Sequence, residues 1–162
     1  MPVERDYDSV IARLKPEGDR AARMEAAVRE LWSEMGPKGC SWVGFYVKNT
    51  DMDEMTLAAR EPKPACSPIG LHGACGRSFL SRKALVVTNV ANLRAGYIAC
   101  DPRDRSEVVV PLMDGYGDQC WGVLDADSFD MHSFTERDVV GLLRVMVHMG
   151  LCVEQGVGVE VV

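Results

Sequence analysis

Glu107-Val108-Val109-Val110-Pro111-Leu112-Met113-Asp114-Gly115-Tyr116-Gly117-Asp118-Gln119-Cys120-Trp121-Gly122-Val123-Leu124-Asp125-Ala126-Asp127 reads as two buried strands, residues 107–113 and 119–126, joined by a polar turn with two glycines. Successive side chains of a strand point to opposite faces, so Asp125 and Asp127 share one face. A buried strand would place valine there, because a buried carboxylate is costly unless something pairs with it. A strand end, with Asp127 and Ser128 capping the next turn, is the other account of the pair. Glu107 opens the first arm and reads either as a solvated strand start or as a third carboxyl of the same group.

Outward from this hairpin the periodicities alternate between helix and strand. Downstream, Thr135-x-x-Asp138 resembles a capping box, with Phe134 placed to staple onto Val139, and the helix runs on through Val140, Leu143, Met146 and Val147. Upstream lie a short strand at Leu85–Thr88, a short helix at about residues 76–82 and a long irregular loop over residues 60–76. Before these, Cys40 to Val47 and Met55 to Ala59 form a first hairpin about a polar turn, Lys48-Asn49-Thr50-Asp51. Residues 18–35 carry Met24, Val28, Leu31, Trp32 and Met35 at helical spacing and stop at Gly36-Pro37. These elements predict an α+β domain with a central antiparallel sheet of about five or six strands, flanked by N-terminal and C-terminal helices. The tail after Glu154 reads as a segment that frays.

Composition narrows the function. With 162 residues, 47% of them hydrophobic, and no repeat or linker, residues 1–162 read as a single domain with its core over about 20–150. A net charge of −6 argues against a nucleic-acid partner, which would need clustered Lys and Arg. No apolar run reaches the roughly 18 residues that span a bilayer, and Met1 to Asp6 lacks the pattern of a signal peptide, so no membrane is expected and the location is expected to be cytoplasmic.

The six cysteines contain no Cys-x-x-Cys pair and separate by setting. Cys40, Cys120 and Cys152 adjoin apolar segments and read as packing residues. Cys66, Cys75 and Cys100 fall in loops. Cys100 is surrounded by Asp101, Arg103, Asp104 and Arg105, which makes it a candidate nucleophile, and the Pro- and Gly-rich loop with Cys66 and Cys75 is where a partner thiol would sit. Thiol–disulfide chemistry follows. His72 lies near Cys66 and Cys75, but without tight pair spacing a zinc site is not expected. Trp42 and Tyr46 share a strand face with Gly44 between them, a gap that either admits a ligand or belongs to a packed aromatic wall.

Six segments taken together resemble a known family. Trp42-Val43-Gly44-Phe45-Tyr46, Ala65-Cys66-x-x-Ile69, Gly73-Ala74-Cys75-Gly76, Ile98-Ala99-Cys100-Asp101, Arg105 to Leu112 and Gly122 to Ser128 resemble, in order, the free methionine-(R)-sulfoxide reductases, which are single GAF domains. The resemblance implies a GAF-like fold in which Cys100 is the nucleophile and Cys66 and Cys75 are the resolving or recycling thiols, Cys66 being the preferred first disulfide partner. It also implies a substrate pocket walled by Trp42 and Tyr46 and carrying Glu107, Asp125 and Asp127. Tyr97 stands where a histidine is common in the family.

The implied reaction is reduction of free L-methionine-(R)-sulfoxide, with a sulfenic acid and an intramolecular disulfide reopened by an external dithiol such as thioredoxin. No metal, flavin or nucleotide is implied. The competing expectation is a non-enzymatic GAF module that binds a small ligand or senses redox state. The apolar residues at 139–153 are compatible with a homodimer.

Overall fold

Phe45 and Tyr46 are neighbours in sequence, yet they belong to two separate apolar clusters on opposite sides of one sheet. The computed structural model describes residues 3–93, 97, 100–154 and 156–162. Its elements run α1 (Tyr7–Arg13), α2 (Arg20–Met35), β1 (Trp42–Lys48), β2 (Glu54–Glu61), β3 (Ile69–Gly70), α3 (Ala74–Ser81), β4 (Ala84–Val87), β5 (Ser106–Asp114), β6 (Gln119–Ser128), α4 (Glu136–His148) and β7 (Val159–Val161). The sheet order is β3-β2-β1-β6-β5-β4-β7. Each pairing is antiparallel except that between β4 and β7.

On one face, Val43, Phe45, Val108, Val110, Leu124 and Ala126 pack with the apolar stripes of α2 and α4, including Val28, Leu31, Leu142 and Met146. Burying each of the Val, Leu, Phe and Met side chains contributes roughly 1.5–3 kcal/mol, and this face holds the larger of the two apolar clusters. The ends of both helices follow their sequence signals. Asp19 accepts from the Ala22 N–H to cap α2, and Thr135 with Asp138 forms the expected capping box of α4. The β5–β6 hairpin closes where the two glycines predicted it, with Gly115 and Gly117 both at positive φ.

Three departures have local causes. The short α1 buries Tyr7 and Val10 in the main core and is tied down by polar contacts as well: Tyr7 donates to Asp138 at 2.6 Å, and Arg5, just ahead of the helix, pairs with the same carboxylate at 3.1 Å. Seven residues give little periodicity to read. The tail does not fray. Val159–Val161 joins the sheet edge parallel to β4, and Val162 O accepts from the Thr88 N–H at 2.9 Å. Finally, the two short edge strands, β3 and β7, raise the sheet to seven strands among the described residues.

Candidate active site

The second face of the same strands is where the predicted site residues gather. Trp42 and Tyr46 are buried on β1, their ring centroids 6.0 Å apart. The gap at Gly44 is not open to a ligand, because a Cβ there would stand 2.3 Å from Trp42 Cη2. The indole itself lies over the glycine, so Gly44 seats the aromatic wall instead of the ligand. Each ring is anchored by its polar atom. Trp42 Nε1 donates to Lys63 O at 2.8 Å and the Tyr46 hydroxyl to Cys66 O at 2.7 Å, which brings the long loop over the sheet.

That loop carries the first thiol to its partner. Cys66 and Cys100 are joined in a disulfide, with Cα atoms 5.8 Å apart across 34 residues of sequence. Both residues are exposed, at the rim of the cavity. Asp101 ties the two loops together, paired with Lys63 at 2.7 Å and with Arg103 at 2.8 Å. The Arg103 guanidinium and the Lys63 ammonium hold the Asp101 carboxyl below the usual carboxylate range. Ile98 and Ala99, which precede Cys100 in the sequence motif, lie outside the described residues.

Cys75 is not on a loop as the sequence suggested. It sits in the first turn of α3 and is buried and unbridged. Gly76 permits this placement, since a Cβ there would come within 2.1 Å of Leu71 O. Burial pushes the Cys75 thiol well up, and the charges of Asp125 and Glu107 push it the same way. Cys40 and Cys152 are buried as expected, while Cys120 packs against the same core in a partly exposed position.

Strand register assembles the acids. Glu107 on β5 faces Asp127 on β6, and Asp125 faces Gly44 of β1 on one side and Val109 of β5 on the other. Glu107 and Asp125 are buried and Asp127 is partly so. Burial first, and then mutual repulsion, raises all three well above ordinary carboxyl values. These acids therefore hold protons at pH values where exposed carboxyls have lost theirs.

All eight residues singled out in the sequence line one cavity of about 260 Å³: Trp42, Tyr46, Cys66, Cys75, Cys100, Glu107, Asp125 and Asp127. Two further groups join them. Asp104, buried and pushed to about 6 chiefly by burial, accepts from Ser41 Oγ at 3.2 Å and adds a fourth carboxyl. Tyr97 donates to Glu107 Oε1 at 3.4 Å, and burial beside Glu107 raises its phenol so that it stays a donor. Asp104 belongs to a loop without periodicity, and its only sequence signal was proximity to Cys100. No Lys or Arg lines the cavity among the described residues. The arrangement offers a sulfur pair at an accessible rim, protonated carboxyls to give a proton, and residual negative charge to hold a cation.

Comparison with known proteins gives the same outline. Residues 18–154 match the family model described as GAF domain. A free methionine-R-sulfoxide reductase from Escherichia coli is 33% identical over 149 residues, covering 91% of this chain and 84% of that protein. GAF domain-containing protein A of Dictyostelium discoideum is 37% identical over 126 residues, 77% of this chain and 73% of its own length. Among solved structures, free methionine-R-sulfoxide reductase from Neisseria meningitidis in complex with its substrate superimposes with a TM-score of 0.74 at 35% identity, covering 88% of this chain and 81% of that one. Among the described residues, no helix is long and apolar enough to cross a membrane.

Proposed function

The chain belongs to the GAF domain family, and we propose that it reduces free L-methionine-(R)-sulfoxide to L-methionine through the Cys100 thiol. The observation that carries this reading is the Cys66–Cys100 bridge at the rim of a cavity furnished with four carboxyls and the aromatic side chains of Trp42, Tyr46 and Tyr97. The kinship with the reductases of Escherichia coli and Neisseria meningitidis supports it.

In the reduced protein the Cys100 thiolate attacks the sulfoxide sulfur, while a carboxylic acid of the Glu107–Asp125–Asp127 group gives its proton to the sulfoxide oxygen. The S–O bond to methionine breaks as oxygen passes to Cys100, leaving methionine and a sulfenic acid. Cys66 then attacks the sulfenic sulfur, water departs, and the bridge seen here forms. An external dithiol, of which thioredoxin is the type, opens the bridge by thiol–disulfide exchange and leaves both thiols reduced. Cys75 stays a free thiol lining the same cavity and is the alternative resolving or recycling partner.

Electrostatics accounts for the choice of a free amino acid. A cavity with several acids and no Lys or Arg among the described residues favours the ammonium of free methionine sulfoxide, which a residue inside a polypeptide lacks. Trp42 and Tyr46 wall the apolar stem. The reaction needs no resident metal, flavin or nucleotide, since the electrons come from thiols. NADPH consumption in the presence of thioredoxin and its reductase tests the proposal. Consumption with the free R epimer, and none with the S epimer or a sulfoxide-containing peptide, is expected. Consumption that is absent with the free R epimer contradicts it, and a ligand-sensing GAF module becomes the better account.

A further inference from the structure

We propose that Cys75, Glu107 and Asp125 form a binding site for a borderline-soft divalent cation of the zinc class, held behind the Cys66–Cys100 bridge and not required for turnover. One sulfur and two carboxylate oxygens from these residues lie within 4.8 Å of one another. All three residues are buried, at 6%, 5% and 5% exposure. A cluster of acids alone would say little. Here a second feature points to a missing cation: Asp125 Oδ1 is shut from solvent and meets no hydrogen-bond partner among the described residues. A buried carboxylate oxygen without a donor is expensive; a proton removes that cost at low pH, and a metal ion removes it where the carboxyl is ionised.

Donor chemistry selects the class of ion. A thiolate with two carboxylates is a mixed set suited to zinc and its substitute cobalt, whereas calcium and magnesium call for oxygen alone. In a tetrahedral zinc site, bonds of about 2.0–2.3 Å put donors about 3.3–3.7 Å apart, so side-chain rotations closing roughly 1 Å bring the present set to bonding geometry. The scaffold limits how far the donors stray, because Glu107 and Asp125 stand on neighbouring strands β5 and β6, and Cys75 on the first turn of α3. All three residues line the cavity, so a water from it would complete the shell. Binding transfers no electrons. The Cys75 proton, with any proton held on Glu107 and Asp125, leaves to solvent as the metal bonds form, and Cys75 is free for this even while Cys66 and Cys100 are bridged.

Occupancy removes Glu107 and Asp125 from any ligand of the cavity. The ion therefore excludes the methionine sulfoxide ammonium, a consequence that rests on the function proposed above, whereas the binding itself does not.

The test is a cobalt(II) titration of the full chain with the Cys66–Cys100 bridge intact. One cobalt per chain is expected, with a thiolate-to-cobalt charge-transfer band in the near ultraviolet that zinc abolishes. Cys75→Ser should lose the band. Asp125→Asn should keep it while weakening binding tenfold or more, which separates loss of a ligand from loss of the fold. Cys120→Ser should match the parent. Absence of the band in the parent at millimolar cobalt overturns the site, as does a band that survives Cys75→Ser. In single-turnover methionine release by the prereduced protein, zinc should slow the parent at least tenfold and Cys75→Ser far less, each against its own zinc-free rate. Equal slowing of both would place the inhibitory ion on the rim thiols and overturn the exclusion. Failure of the reductase reading shows instead as no methionine release in either protein, with the cobalt band still deciding the site.

Discussion

Strands β1, β5 and β6 alternate with the same period on both faces, yet the two faces hold opposite chemistry. Toward α2 and α4 the alternation places Val43, Phe45, Val108, Val110 and Leu124. Toward the cavity it places Trp42, Tyr46, Glu107, Asp125 and Asp127. The first set gains free energy by leaving water, and the second gives some of it up by burying carboxyls near one another. Neither face is explicable alone. The acids are tolerable because the opposite face holds the strands in register.

The largest effect that would sharpen this contrast is loss of the rim thiol. Cys100→Ser should abolish turnover of free methionine-(R)-sulfoxide while leaving the thermal midpoint close to that of the reduced parent, because an exposed loop side chain contributes little packing. Coupled NADPH assays and circular dichroism measure the two. Next comes the acid at the centre of the cavity. Asp125→Asn should lower kcat/KM by about 10²–10⁴, the range for loss of a general acid or charge partner, and raise stability at neutral pH by removing an ionisable group whose burial is costly. A loss of both activity and stability would break the comparison.

The immediate neighbour on the other face should behave in reverse. Leu124 is fully buried against the helices, and Leu124→Ala should cost about 2–5 kcal/mol in urea unfolding with little change in kcat below the transition. A smaller effect concerns pH. Because Glu107, Asp125 and Asp127 are raised in the folded chain, the native state holds more protons than the unfolded one from the ordinary carboxyl value near ~4 up to the raised values. Their contribution to stability therefore falls as pH rises through that window. Thermal midpoints against pH should show the decline, and Asp125→Asn should flatten it.

How far the sequence reached depended on the range of the interaction being read. The 106–128 hairpin, α2 and the Thr135 cap were legible because each depends on residues a few positions apart. The tail was not, since β7 is three residues long and exists only because β4 offers it an edge. In the site, periodicity put Trp42 with Tyr46 and Asp125 with Asp127. The pairing of Cys66 with Cys100 came only through the family resemblance, and their 34-residue separation carries no local signal. Asp104 and Tyr97 enter the cavity from loops, where no period reports which way a side chain turns. Gly44 misled for a related reason. A strand pattern shows that a side chain is missing, but not that the ring of Trp42 folds back to fill the space.

The account stands or falls on whether Cys100 accepts the sulfoxide oxygen. The direct measurement is a single-turnover reaction of reduced Cys66→Ser with free methionine-(R)-sulfoxide, followed by a sulfenic-acid trap and peptide mass spectrometry. One equivalent of methionine per chain with the trap on Cys100, and no further turnover with thioredoxin, is the expected result. Methionine formed at the same rate by Cys100→Ser, or a trap found on another cysteine with Cys100 unmodified, would contradict it.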